Sequence, residues 1–327
     1  MKRLLAILLL LVPALALAWE PNPNKPIEVI VGNNPGAGNE MAFRELMSIV
    51  NQTQPTVKWF VLNKPGADSV VSMNELYKAT PDGYTINALS HMSTFVTNDI
   101  WEKSVKKWQW NEFAHVLTMG KSPQVLVASS RSTINTPEEF VKLISTTNRP
   151  ISVAVGGGAH RTVFEYLMVK GHGNTELVKT VKFNGPLQAV TSVAQFDGVL
   201  GTEFGIMPIA VAKPLIEAGK VKPIGFSGTR QMAQFPSVPL LNIVAPGVNI
   251  YAAWSIALPP NTPQEVVDWY VKTFSAAVRS KQYQQWCYDN VVFTDDAELS
   301  PAGLTRHAQS LRDTFLPMLE RIDISKD

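Results

Sequence analysis

Val29-Ile30-Val31-Gly32-Asn33-Asn34-Pro35-Gly36-Ala37-Gly38-Asn39-Glu40 is the stretch whose reading decides the fold. β-Branched residues run into a turn of Gly, Asn and Pro, and a helical pattern then begins with Met41, Phe43, Leu46, Met47 and Val50. The order is strand, tight loop, helix N-terminus. Asn39 has the side chain of an N-cap, and Glu40 suits a first turn, where the helix dipole favours an acid. Glycines let backbone N–H groups approach a ligand closely, and the unpaired donors of a helix start favour an anion. Asn34, Pro35, Gly36, Ala37, Gly38 and Asn39 are therefore candidate ligand contacts.

A second stretch repeats the grammar: Ile151-Ser152-Val153-Ala154-Val155-Gly156-Gly157-Gly158-Ala159-His160-Arg161, followed by Val163, Phe164, Leu167 and Met168 at helical spacing. One glycine run alone is weak support for a ligand loop, because a tight strand-to-helix connection also needs glycine. Two of them, far apart in the chain, suggest two lobes facing one ligand, with Gly157, Gly158 and Ala159 as the second cradle. His160 and Arg161 have two readings. They supply charge to a ligand carboxylate, for which a planar guanidinium is well shaped, or they are first-turn residues that face solvent.

Between and beyond these loops strand and helix patterns alternate. Strands are expected at 57–62, 84–89, 113–119, 125–128, 178–183, 198–201 (buried) and 221–226. Helices are expected at 70–79, from Thr136 onward, 186–194 and 213–218. Thr136-Pro137-Glu138-Glu139 carries an N-cap, a proline at the first helical position and a capping-box acid. Such alternation predicts α/β architecture with largely parallel sheets, and ligands then bind beyond the carboxyl ends of strands. Ser90, His91, Thr202 and Glu203 all fall at expected strand ends and join the candidates. For His91 the commoner fate is a hydrogen-bonded structural histidine, and for Glu203 a salt bridge. Trp101, Trp108 and Trp110, among Lys103, Lys106 and Lys107, read as a cap over an exposed loop and helix, with contact to a membrane partner as the alternative.

The N-terminus sets the compartment. Lys2 and Arg3 precede an apolar run to Leu17, and Ala16-Leu17-Ala18 is an A-x-A-like cleavage site, so residues 1–18 read as a secretory signal peptide and the mature chain starts at Trp19. Periplasmic localisation follows. Lys2 and Arg3 account for the whole formal net charge of +2, so the mature chain is near neutral and gives no case for nucleic-acid binding. No later apolar stretch is long enough to span a bilayer. With 45% hydrophobic residues and a single cysteine, Cys287, stability must come from packing rather than disulfides. There is no CxxC, HExxH or His/Cys cluster at ligand spacing, so neither metal nor cofactor is expected.

Along nearly the whole mature chain, pieces resemble the solute-binding receptors of tripartite tricarboxylate transporters, the Bug receptors. Asn63-Lys64-Pro65-Gly66-Ala67 is similar to the family's N-R-P-G-A, and Pro81-Asp82-Gly83-Tyr84-Thr85 carries its P-D-G-Y-T. Ala218-Gly219-Lys220, Phe235-Pro236-Ser237-Val238-Pro239 and Pro259-Pro260-Asn261-Thr262-Pro263 match further family segments in the same order. The resemblance implies a two-lobed periplasmic-binding-protein type II fold with a ligand cleft between the lobes. Lobe one would comprise 19–120 and 224–327, and lobe two 121–223. It also implies a non-enzymatic, monomeric receptor for a small organic acid (a di- or tricarboxylate, or an aromatic carboxylate) that works with membrane permease subunits. The first loop departs from the family's usual P-P-G-G-G-[TS]-D, with Asn39 in place of a hydroxyl and Glu40 in place of a shorter acid. A sensor subunit for a signalling kinase would use the same closure. A secreted α/β hydrolase would need a G-x-S-x-G elbow, and Gly225-Phe226-Ser227-Gly228 lacks the spacing.

Overall fold

The computed structural model describes residues 19–322; the expected signal peptide lies outside the described residues. From the N-terminus the chain forms β1 (Ile27–Val31), α1 (Gly38–Thr53), β2 (Trp59–Asn63), α2 (Val70–Lys78), β3 (Thr85–Ser90) and the short α3 (His91–Phe95). The long β4 (Ala114–Ser129) leads to α4 (Pro137–Thr146), β5 (Ile151–Val155), α5 (Gly158–Lys170), β6 (Val178–Lys182), α6 (Pro186–Ala194), β7 (Phe204–Pro208), α7 (Ile209–Glu217) and β8 (Val221–Phe226). The chain then returns through β9 (Tyr251–Leu258) and ends in α8 (Gln264–Val278), α9 (Lys281–Asp289) and α10 (Pro301–Leu319).

Two half-sheets share one strand. In the first, the order is β2-β1-β3-β9-β4, with β2, β1 and β3 parallel and β9 antiparallel to β3 and to β4. In the second, β7 and β8 flank the far end of β4, both antiparallel to it, and β5 and β6 continue in parallel beyond β7. The parallel pairs are joined by helical crossovers, as parallel pairing requires. β4 pairs with β9 up to Pro123 and with β7 from Gln124. At this handover the Gln124 N–H donates to Ser227 Oγ at 2.9 Å and the Ser227 N–H donates to Gln124 O at 2.8 Å, so the outgoing and returning chains are tied together. This is the α/β architecture that the alternating pattern predicts, but the sheet is mixed rather than largely parallel, because every pairing made by β4 and β9 is antiparallel.

The differences from expectation have physical causes. The strands at 113–119 and 125–128 are one strand. Gly120, Lys121 and Pro123 interrupt the apolar pattern, but Pro123 sits where the partner changes, and a missing donor there breaks no continuing ladder. The segment 198–201 is not a buried strand: Val199 is 90% exposed and Leu200 68% exposed. Gly198 and Gly201 take positive φ, and Asp197 Oδ1 accepts from the Val199 and Leu200 N–H groups, making a tight turn before β7. Trp108 and Trp110 are buried rather than capping an exposed loop, in edge contact with Phe113 and Phe95 at ring distances of 5.4 and 5.7 Å. The Thr136 box forms as read, with Thr136 Oγ1 accepting from the Glu139 N–H at 3.2 Å and Glu139 Oε2 from the Thr136 N–H at 3.3 Å. No helix among the described residues is long and apolar enough to cross a membrane.

Candidate functional site

Two adjoining hollows lie between the half-sheets. The larger, about 170 Å³, is walled by Gly32, Asn33, residues 66–69, Trp101 and Glu102 on one side, and by residues 155–158, Arg161 and residues 182–184 on the other. The smaller, about 30 Å³, adds Ala37, Gly38, Asn39, residues 90–93, Ala159, His160 and Trp254. Both share Asn33, Asp68 and residues 156–158. The two glycine loops therefore face each other across one cleft, each at the carboxyl end of a parallel strand. Its size suits a small metabolite, since drug-sized ligands occupy roughly 300–1,000 Å³.

The first loop contributes Ala37, Gly38 and Asn39 to the wall, while Asn34, Pro35 and Gly36 lie outside both hollows. Those three meet the second half of the molecule instead. The Asn34 N–H donates to Asn184 O at 3.5 Å, and a Cβ on Gly36 would stand 3.0 Å from Leu187 Cδ2. Asn39 does not cap α1. The N-cap is Ala37, without a side-chain bond, and Asn39 is buried inside the first turn, where its Nδ2 donates to Ala88 O at 2.7 Å and Asn33 Oδ1 at 3.2 Å. Glu40 does the capping by reaching back: its Oε2 accepts from the Gly36 N–H at 3.0 Å and its Oε1 holds Arg44 Nε at 2.7 Å. Gly38 packs so closely on the Trp254 ring that a Cβ would fall 2.1 Å from Cζ2. One role of that glycine is thus helix-to-strand approach.

The second loop places Gly157, Gly158 and Ala159 on the wall. His160 turns back on its own loop, where Nδ1 accepts from the Gly156 N–H at 3.1 Å. Burial pushes its pKa down to about 3, so the ring is neutral and supplies no charge to a ligand. Arg161 is buried, bonds Glu165 Oε1 through Nε at 3.3 Å and lies over the Trp101 ring at 4.1 Å. It lines the larger hollow from that position.

Asp68 directly follows the Asn63–Ala67 segment, in a stretch whose composition reads only as a turn. Ala67, Asp68 and Ser69 all take positive φ, at 44°, 46° and 75°. Three successive non-glycine residues in this region cost about 1–2 kcal/mol each. The turn delivers the Asp68 carboxyl into the interface of the two hollows. Thr97 Oγ1 donates to Oδ2 at 3.3 Å, the Ser93 hydroxyl also bonds the carboxyl, and so does the Gly158 backbone at the start of α5. Burial raises its pKa from the ordinary aspartate value despite these bonds and the charge of Lys182. Glu102 is also raised, by burial first and by the Asp68 charge second, with Lys182 and Arg161 pulling the other way. One wall is thus acidic, and Lys182 stands on the other.

Ser90 and His91 line the smaller hollow. His91 is fully buried, and neither ring nitrogen has a hydrogen-bond partner among the described residues. Its pKa is held well below the usual histidine value, by burial and then by the charges of His307, Lys121 and His115. Thr202 and Glu203 are not brought to the cleft. Thr202 Oγ1 donates to Ser192 Oγ at 3.2 Å, while Glu203 bonds Arg149 Nη2 at 2.7 Å and Ser132 Oγ at 2.9 Å. Trp254, from β9, is buried and also lines the smaller hollow. Among the described residues no group of His, Cys, Asp and Glu could hold a metal ion.

Comparison with known proteins matches residues 51–298 to the tripartite tricarboxylate transporter family receptor, TctC. A UPF0065 protein from the gbd 5' region of Cupriavidus necator is 23% identical over 279 residues, covering 80% of this chain and 77% of that one. Among solved structures, the periplasmic binding protein BugD superposes with a TM-score of 0.81 at 18% identity, over 92% of this chain and 98% of BugD. MatC from Rhodopseudomonas palustris, solved with bound malate, gives 0.82 at 18% identity, over 91% of this chain and all of MatC. The fold is that of the periplasmic binding proteins.

Proposed function

This chain belongs to the tripartite tricarboxylate transporter receptor family, and we propose that it captures a small organic carboxylate in the cleft between its glycine loops. It then delivers that solute to the membrane permease subunits of a tripartite transporter. The observation that carries this reading is the enclosed hollow bounded by one strand-to-helix loop from each half-sheet. Malate in the similar MatC structure supports a dicarboxylate-sized solute.

In this reading the protein works as a monomer in the periplasm after removal of residues 1–18. Lobe one takes 19–120 and 224–327 and lobe two takes 121–223, a division that the change of partner along β4 supports. Closure about the β4 and Ser227 crossings excludes water from the solute. The ligand set comprises Gly38, Asn39, Ser90, His91 and residues 157–159, with Arg161 along the wall.

The test is a thermal-shift screen of refolded, solute-stripped protein against organic acids. A solute that binds only the native state raises the melting temperature. One carboxylate group should give a clear shift that Gly158→Asp abolishes, because its Cβ would meet Thr97 Oγ1 at 2.1 Å and Asp68 Oδ2 at 2.7 Å. No shift with any acid sinks the receptor reading. Loss of uptake of the same solute in a deletion strain tests delivery.

A further inference from the structure

Backbone donors of both glycine loops already hold carboxylates of the chain itself, that of the first loop outside the hollows and that of the second where the hollows meet. Glu40 takes the Gly36 N–H, and Asp68 bonds the Gly158 backbone where α5 begins. Asp68 reaches that helix end from the opposite half-sheet and fills the place where an anion would gain most from the helix start. It is half-buried and lines both hollows, and Glu102 adds a second acid to the wall of the larger one. Lys182 faces both acids from β6, across the larger hollow.

A plain dicarboxylate entering this hollow would bring two negative charges to a wall that already carries two acids. Like charges at such separations in a poorly hydrated site are repulsive. A cationic group would favour the charged form of Asp68, which burial disfavours despite its hydrogen bonds, and charge-assisted hydrogen bonds are the stronger kind.

We propose that Asp68 sets the solute class of this cleft: the hollow selects a small carboxylate that also carries an ammonium group, an amino acid, over the matching plain dicarboxylate. The ammonium faces Asp68 and Glu102, and the carboxylate faces Lys182 and the backbone of Gly156 and Gly157. This rests on the receptor reading above and narrows it.

The test is calorimetric titration of the refolded mature protein at neutral pH with matched pairs: succinate against aspartate, glutarate against glutamate, and propionate against alanine. Asp68→Asn and Asp68→Gly are titrated alongside. Both residues tolerate the positive φ at this position, so both variants should fold, and their melting curves check it. In at least one pair the amino acid should bind tenfold or more tightly than its partner. Both variants should bring that ratio close to one, and Asp68→Gly should gain affinity for the diacid. Equal or tighter binding of plain acids by the parent protein overturns the inference while leaving the receptor reading intact. So does an amino-acid preference unchanged in both variants. No binding of any acid, amino or plain, overturns both.

Discussion

Gly38 shows how much a single hydrogen decides. In an ordinary first turn, Gly→Ala stabilises a helix by up to about 1 kcal/mol. Here the new methyl would fall on the Trp254 ring, which is 3% exposed and has no free space to move into. Overpacking of that kind costs about 1–3 kcal/mol, so the steric term wins. Gly38→Ala should lower stability in urea unfolding; a more stable variant would show that the ring can shift cheaply. The glycine itself was plain in the sequence, since Gly-rich turns between a β-branched run and a helical pattern are strong punctuation. Its reason was not, because Trp254 lies more than two hundred residues away. Asp68 was harder still. Pro65-Gly66-Ala67-Asp68 reads as a turn on composition, and nothing local says that the turn takes positive φ at three non-glycine residues and turns the acid inward. An acid closely following a strand of the first half-sheet, at the end where ligands bind, was the one available signal. Glu203 misled for the opposite reason: it sits next to a strand, but Arg149 and Ser132 claim its carboxylate.

Elements were legible where local chemistry and tertiary packing agree. α4 is the clear case, since Thr136, Pro137 and Glu139 specify its start without help from the rest of the molecule. Thr136→Ala should remove one capping bond and cost about 1 kcal/mol. Chemical denaturation should show the midpoint falling with an unchanged slope, while a variant as stable as the parent would mean that water replaces the cap. α1 failed on the same rule. Asn39 has the right side chain for an N-cap, but a buried bond to Ala88 O serves it better, and Glu40 caps from inside the turn. β4 was divided because a proline and a glycine normally end a strand. The change of hydrogen-bonding partner that permits both is a property of the assembled sheet.

At the scale of the whole molecule the buried histidines set the acid limit. His91, His115 and His160 are enclosed and His307 is largely buried; all four titrate below the ordinary value, His115 at about 4 and His160 at about 3. In each case burial is the first cause. The unfolded chain takes up these protons near pH 6.5, whereas the folded protein takes them up only at lower pH, far lower at His91, His115 and His160. Lowered folded-state values mean that stability is full above pH 6.5 and falls as the pH drops below it. The slope is on the order of 1 kcal/mol per pH unit for each histidine involved. The melting temperature should therefore drop between pH 7 and pH 5, and His160→Gln, whose amide can still accept from Gly156, should flatten the drop. A melting temperature constant over that interval would contradict neutral burial.

The undivided β4 also bears on how the molecule comes apart. Its residues belong to both half-sheets in one unbroken run, and Gln124 and Ser227 tie the two crossings in both directions. Melting either half strips hydrogen-bonding partners from a strand that the other half needs, so neither half is left with an intact edge to survive alone. The two-part molecule should behave as one cooperative unit, with calorimetric and van't Hoff enthalpies in agreement. A resolved second peak in the heat-capacity trace would show that the shared strand is no obstacle to piecewise loss. Two half-sheets that share one strand should thus be, thermodynamically, a single object.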